Sequence, residues 1–297
     1  MFQAQRTFRF APSPNGALHL GHIYSALCNH EMAKASGGTM LLRIEDIDRE
    51  RCKPEFERQI FEDLHWLGFA WPEPVRRQSE HLADYSQALQ RLRERGLVYP
   101  AFLTRRHIRE AVARAENAGH VWPRDPDGAP HYPGTERNMS TDEIEQAFKS
   151  EKSFAWRLDM QKALRTAGQS LSWNDTGAGP ALETGLIAAE PDRWGDVIIA
   201  RKDTPTSYHL SVVVDDALQN VTDVVRGHDL FHATSVHRLL QVLLELPQPA
   251  YHHHPVLAGK DGRKLAKSQG DTAISALRER GTTPLEVIHL CETTARV

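Results

Sequence analysis

The chain has 297 residues, 40% of them hydrophobic, with 36 basic and 39 acidic side chains and a formal net charge of −3. That length accommodates one large α/β unit or two modest domains, and no stretch approaches the roughly 18–20 apolar residues that span a bilayer. Met1 to Phe10 carries no apolar signal core, and Cys28, Cys52 and Cys291 are too few and too scattered for a disulfide framework, which argues against secretion and for a cytoplasmic location.

Phe8-Arg9-Phe10-Ala11 reads as a short alternating strand, halted by the turn signal Pro12-Ser13-Pro14-Asn15-Gly16. A helix is expected from about His19 to Ala35, ended by Gly37-Gly38, with a second apolar strand from Met40 to Ile44. Strand, helix, strand is a βαβ unit, which calls for a parallel sheet and a right-handed crossover. Phe56, Ile60, Leu64 and Leu67 recur at helical spacing, as do Leu82, Tyr85, Leu89 and Leu92. From Leu97 to Glu190 the pattern breaks up, with proline and glycine clustered between Pro123 and Gly134, and an inserted region is expected there. Strands are expected to return at Val197–Ala200, Leu210–Val214 and Val221–Val225, followed by a helix from Ala233 to Leu246. A His/Pro segment, the loop Lys260 to Ser268 and a helical tail complete the chain.

Two segments carry chemistry. In the first, Ala11 to His22, a strand and a proline turn lead into a helix N-terminus, whose unpaired N–H groups and partial positive charge suit a phosphate. His19 and His22 lie three residues apart, so both rings share one helix face and can donate to one oxyanion, while Gly21 leaves room for a close approach. In the second, Gly259 to Ser268, Lys260, Arg263, Lys264 and Lys267 form a positive loop that can meet a triphosphate and stabilise departing pyrophosphate. Arg9 and Arg226 sit at strand ends, where open α/β sheets bind ligands, and an arginine fork grips a carboxylate in two places. Alternatives remain open: Glu45, Asp46 and Asp48 as a helix-capping cluster, Arg226 as a strand terminator, Tyr208 as a core aromatic.

Together these segments resemble the HIGH and KMSKS signatures of the class I aminoacyl-tRNA synthetases. Arg9-Phe-Ala-Pro-Ser-Pro, Leu42-Arg-Ile-Glu-Asp and Val225-Arg-Gly-His-Asp229 resemble the glutamyl branch in particular, and the similarity runs from about Phe8 to Ser268. The resemblance implies an α/β fold: a Rossmann-type parallel sheet interrupted by an inserted mixed subdomain, with a short helical C-terminal part. Its expected divisions are 1–96 (first half of the Rossmann domain), 97–190 (inserted acceptor-domain-like region), 191–246 (second half) and 247–297 (KMSKS-like loop and tail). The implied chemistry is ATP-dependent ligation, with catalytic roles for His19, His22, Lys264 and Lys267, and ATP, brought in with Mg²⁺, on His19, Gly21, His22 and Lys267. Glutamate falls to Arg9, Ser13, Glu45, Tyr208 and Arg226. Asn15 where threonine is usual, and Leu265-Ala266 in place of Met-Ser, are mild departures.

Only 29 residues follow Ser268, too few for the large anticodon-binding portion of a complete glutamyl-tRNA synthetase. Within the branch the chain therefore resembles the short glutamyl-queuosine tRNA(Asp) synthetases. These activate L-glutamate without tRNA and transfer it to the queuosine base in the anticodon loop of tRNA(Asp). Such enzymes often carry a zinc site, but Ala101, Leu103 and Glu136 occupy the three cysteine places, so structural zinc is expected to be absent. Three consecutive histidines, His252 to His254, cannot all face one ion on regular structure. Arg105-Arg106-His107-Arg109 and Arg91-Arg93-Arg95 are candidate RNA-contacting patches, the second more in keeping with a solvated helix face. A monomer without membrane partners is expected. The competing readings are a glutamyl-tRNA synthetase charging a 3′-terminal adenosine, a small HxGH nucleotidyltransferase, and a non-catalytic tRNA-binding module.

Overall fold

The computed structural model describes residues 5–150, 153–257 and 273–295. Strand β1 (Thr7–Phe10) leads through the proline turn into helix α1 (Leu20–Ala35), which crosses to β2 (Thr39–Ile44), parallel to β1 with Phe8 opposite Met40. Gly37 takes φ +63, and a Cβ on Gly38 would sit 2.5 Å from the Arg6 carbonyl oxygen, so the glycine pair permits the tight return into β2. Helix α2 (Pro54–Trp66), strand β3 (Arg76–Arg77, parallel to β2) and helix α3 (Leu82–Glu94) follow at the expected periodicities.

Strand β4 (Val98–Ala101), helices α4 (Arg105–Asn117) and α5 (Thr141–Lys149), strand β5 (Ala155–Leu158) and helix α6 (Met160–Ala167) form the next stretch. Then come the hairpin β6 (Ser172–Asp175) and β7 (Gly185–Ala188), strand β8 (Ile198–Arg201), helix α7 (Tyr208–Leu218), strand β9 (Asp223–Gly227), helix α8 (Thr234–Leu243) and strand β10 (Ala250–His254). Helices α9 (Ile274–Glu279) and α10 (Pro284–Thr294) close the chain, with Cys291 of α10 packed against α1.

Strand β10 lies parallel between β9 and β6. Strand β9 reaches the edge of β1 where Thr222 N–H donates to the Thr7 carbonyl at 2.9 Å and Thr7 N–H to Thr222 Oγ1 at 2.8 Å. The approach of β9 to β1 brings Arg9 Nη1 within 3.5 Å of the carbonyl of Val225, the residue before Arg226. Phe8, Leu42, Ile44, Ile60 and Leu64 fill the core under β1 and β2, while Tyr85, Leu92, Leu158, Leu210 and Leu239 fill a second core joining α3, α6, α7 and α8. Each such side chain contributes on the order of 1.5–3 kcal/mol of burial.

The segment Leu210–Val214, expected as a strand, is instead the body of helix α7. Residues Leu210 to Asp216 are all buried, so that run has no solvent face and shows no polar/apolar period. A short, fully buried apolar run is the case in which pattern cannot separate helix from strand. Two strands also pair across the expected divisions: β8 joins β5 antiparallel in a separate three-stranded sheet with β4, and β6 joins β10 in the parallel layer. The His/Pro segment proves to be strand β10. Its alternation sends His253 to one face and His252 and His254 to the other.

Candidate active site

The phosphate-binding candidate begins at the end of β1, where the Pro12 carbonyl accepts from Glu45 N–H at 3.0 Å and so holds the proline turn against β2. His19 is the N-cap of α1, with extended backbone (φ −126, ψ 172). Its Nδ1 accepts from Gly21 N–H at 3.1 Å, and His22 Nδ1 accepts from His19 N–H at 3.1 Å, a reciprocal capping box built from two imidazoles. The rings lie 3.7 Å apart, centroid to centroid. Because both Nδ1 atoms accept, the hydrogen-bond pattern assigns the neutral-ring protons to Nε2. The space at Gly21 is taken by the His19 ring, 3.0 Å from where a Cβ would stand. Lys264 and Lys267, with the whole loop Lys260 to Ser268, lie outside the described residues.

Next to this turn, a cleft of about 610 Å³ is lined by Ser13, Glu45 and Tyr208, together with Gln78, Arg201 and Ser207. Three of the five residues expected to hold glutamate thus face one cavity. The other two, Arg9 and Arg226, are each only 5% exposed and stand behind it. Glu45 accepts from Arg43 Nη2 at 3.2 Å. Burial raises its carboxyl pKa, against the opposing pull of Arg43 and Arg9.

Behind Glu45 runs a buried ionic network. Arg43 is fully buried and touches Asp216 at 2.8 Å, Glu45 at 3.2 Å and Asp215 at 3.8 Å. Burial alone would lower its pKa, but the surrounding carboxylates raise it. Asp216 also accepts from Arg9 Nε at 3.1 Å. Burial opposes its ionisation, yet Arg9 and Arg43 hold its pKa below the usual carboxylate value. Asp215 accepts from Arg76 Nε at 2.7 Å, Gln78 Nε2 at 2.8 Å and Tyr85 OH at 2.9 Å.

Arg226 is surrounded differently. Its Nε donates to His253 Nε2 at 3.1 Å, Nη1 to His237 Nδ1 at 3.2 Å and to Tyr208 OH at 3.4 Å, and Nη2 to Thr234 Oγ1 at 2.7 Å and the Leu230 carbonyl at 3.3 Å. Among the described residues, no carboxylate forms an ion pair with it. His253 Nδ1 lies 2.5 Å from Asp175 Oδ2, and His237 Nε2 lies 3.2 Å from His209 Nδ1. Burial, reinforced by the charge of Arg226, lowers His209 to about 4 and His237 well below its ordinary value. His253 falls to about 4 through burial although Asp175 pulls the other way.

Sequence reasoning missed Asp215, Asp216, His209 and His237. The only local signal was a pair of aspartates ending an apolar run and two histidines within apolar stretches. A buried polar residue inside such a run asks for a partner, but not which one.

Ala101, Leu103 and Glu136 do come together, so the comparison with a three-cysteine zinc site is spatially apt. Glu136 Oε1 accepts from Phe102 N–H at 3.0 Å and Tyr132 OH at 2.7 Å, and Oε2 from Thr135 Oγ1 at 2.8 Å. Tyr99, Ala101 and Tyr132 pack with Leu103 and Ile108 around it. Two apolar side chains and a carboxylate already engaged three times do not fit zinc.

Of the basic patches, Arg105, Arg106, His107 and Arg109 are exposed on the first turns of α4. Arg93 instead lies over the Trp156 ring at 4.5 Å and Arg95 donates to the Leu243 carbonyl, so the second patch is partly committed to packing.

A parallel sheet with an imidazole-capped helix and a buried guanidinium cluster at its strand ends places the molecule among nucleotide-using ligases of the class I synthetase type. Residues 6–294 match the model of the class I tRNA synthetase (E and Q) catalytic domain, and the chain belongs to that family. It is 45% identical over 286 residues, covering 95% of this chain and 98% of the relative, to the Glutamyl-Q tRNA(Asp) synthetase of Rhodobacter capsulatus. It is 38% identical to the Glutamate–tRNA ligase of a Synechococcus strain, covering 93% of this chain and 55% of that protein. The crystal structure of the glutamate-tRNA synthetase from Elizabethkingia anophelis superposes with a TM-score of 0.73 at 26% identity, over 90% of this chain and 53% of that one. The chain thus spans about half the length of the glutamate–tRNA ligases it matches.

Proposed function

We propose that this chain activates L-glutamate with ATP, without tRNA, and transfers it to the queuosine base in the anticodon loop of tRNA(Asp). A carboxylate oxygen of glutamate attacks the α-phosphorus of ATP, the bond to the β-phosphate oxygen breaks, and pyrophosphate leaves. A queuosine hydroxyl then attacks the acyl carbon, releasing AMP and leaving an ester. His19 and His22 present Nε2–H donors to the phosphates beside the N-terminus of α1 and Gly21, and Lys264 and Lys267 meet the leaving pyrophosphate. Mg²⁺ is held chiefly by phosphate oxygens and water. Glu45 receives the substrate ammonium, Ser13 and Tyr208 close the cavity, and Arg9 and Arg226 attract the side-chain carboxylate.

The observation that carries the glutamate assignment is the guanidinium of Arg226, buried, without an ion-paired carboxylate among the described residues, and directly behind Tyr208. An acidic ligand supplies the missing counter-charge, and a neutral amide does not. Support for queuosine as acceptor comes from the relative of nearly equal length that bears that activity in its name.

ATP–pyrophosphate exchange with glutamate, glutamine and aspartate, in the absence of tRNA, tests the first half. The second half is tested by glutamylating tRNA(Asp) from which the 3′-terminal adenosine has been removed, with and without queuosine. Exchange that requires tRNA, or labelling that is lost with the 3′-terminal adenosine, would refute it in favour of a synthetase that charges that adenosine, and equal labelling without queuosine would refute queuosine as the acceptor.

A further inference from the structure

The five N–H groups of Arg226 point at five acceptors, and none of these is a carboxylate: two imidazole nitrogens, two hydroxyl oxygens and a carbonyl. Arg9 and Arg43, by contrast, share the Asp216 carboxylate. Burying a cation without a counter-ion costs several kcal/mol and is tolerated only when its donors are satisfied. An imidazole can accept at one nitrogen only if it is neutral and its proton sits on the other. Asp175 imposes that state on His253: it accepts the hydrogen bond from Nδ1–H, keeping the proton on that nitrogen, and leaves Nε2 as the lone pair aimed at Arg226. On the other side, His237 turns Nδ1 to Arg226 and Nε2 to His209 Nδ1, so His237 carries its proton on Nε2. The backbone reinforces the arrangement, because His253 stands directly opposite Arg226 in the β9–β10 ladder.

We propose that His237 and His253 are positioning residues that hold the Arg226 guanidinium in place as neutral acceptors, so that its positive charge remains uncompensated until an acidic substrate arrives. This rests on the assignment of Arg226 to the glutamate carboxylate. An aspartate at either histidine position would hold the arginine equally firmly but cancel its charge. The imidazoles therefore serve selectivity as well as geometry. The weakest of the five bonds, to Tyr208 OH at 3.4 Å, is the one facing the cleft and the one a ligand carboxylate displaces most easily.

The test is ATP–pyrophosphate exchange, with and without tRNA(Asp), on four variants. His237→Asn keeps an acceptor near Nδ1, His237→Leu removes it, His237→Asp adds an anion, and Arg226→Ala is the reference. His237→Leu should raise KM for glutamate about 10-fold or more while leaving KM for ATP within about 2-fold, on the scale of one hydrogen bond to a charged group. His237→Asn should recover most of that loss. His237→Asp should lower the ratio of kcat/KM for glutamate over glutamine by at least about 10-fold, which a purely structural role would not do. If Arg226→Ala leaves the glutamate KM unchanged, the glutamate assignment itself fails. If Arg226→Ala is impaired but His237→Asp keeps the wild-type ratio, or His237→Asn is no better than His237→Leu, only the positioning role is overturned. Should His237→Leu not fold, the Asn and Asp variants still decide the matter.

Discussion

Asp216 receives Arg9 Nε at 3.1 Å in a site where both side chains are almost wholly buried, and the same oxygen accepts from Arg43 at 2.8 Å. One carboxylate thus orients two guanidiniums, and its loss leaves both without that counter-charge. Asp216→Ala is expected to destabilise the fold by about 3–5 kcal/mol, the scale for breaking a buried pair. Removal of the exposed Arg51–Asp48 pair, whose arginine is 71% exposed, should cost less than about 1 kcal/mol. Urea unfolding of the two variants separates these outcomes, and equal effects would contradict the network's role.

His19 caps α1 through Nδ1, and the proposed mechanism gives the chemistry to the other ring nitrogen. His19→Asn keeps an oxygen near the place of Nδ1 and so preserves the cap, within about 0.5 kcal/mol of wild type. It removes Nε2, and exchange activity should fall by at least about 100-fold, the scale for losing one transition-state donor. His19→Ala should lose both. Thermal melting and ATP–pyrophosphate exchange, run on the same preparations, check the separation.

Beside Ala101 and Leu103, at the positions the sequence resemblance sets against zinc-binding cysteines, the Glu136 hub joins Phe102, Tyr132 and Thr135. Burial works against ionisation, but these donors lower the Glu136 pKa. Glu136→Ala should therefore destabilise the chain by about 2–4 kcal/mol. Purified wild type should contain well under one zinc per chain by elemental analysis, and its melting temperature should not respond to EDTA. Stoichiometric zinc would contradict the proposal.

The buried histidines give stability a definite pH slope. His209 and His253 titrate near 4 in the folded chain against 6.5 ordinarily, so the unfolded chain binds protons that the folded chain refuses between those values. Stability is therefore lost as pH falls from about 6.5 towards 4, by about 3 kcal/mol from His209 alone. Asp63, raised to about 6 by burial, has the opposite sign: it takes up a proton in the folded chain first and regains some stability over the same window. The urea midpoint should fall between pH 7 and pH 4.5, and more steeply in Asp63→Asn. A midpoint that is flat or rises on acidification would show that the histidines do not stay neutral.

Much of the local structure at the proposed nucleotide end was legible in the residues themselves. A strand, a proline turn and His19-Leu-Gly-His22 within a dozen positions define a helix start whose donors and rings lie close together by chain geometry alone, and local sequence dictates local structure. Helices α2 and α3 were equally plain, because each has one wet and one dry face. The proposed amino-acid end was only partly readable. Ser13, Glu45 and Tyr208 could be named by resemblance, but that they line one cleft, with Arg226 behind Tyr208, follows from how β1, β2, α7 and β9 assemble.

Helix α7 was misread because its body, Leu210 to Asp216, is buried on every side, and a run without a solvent face has no period to read. The same burial hid the roles of Asp215 and Asp216, which sit at the end of that run and are satisfied by arginines more than 130 positions away. His253 read as one of three adjacent histidines, whereas the alternation of β10 separates it from its neighbours and the ladder register sets it opposite Arg226. Sequence by itself determined the short-range pieces, in which backbone geometry leaves little choice. Only tertiary structure decided which buried charges meet, because a guanidinium removed from water must find its acceptors wherever in the chain the packing brings them.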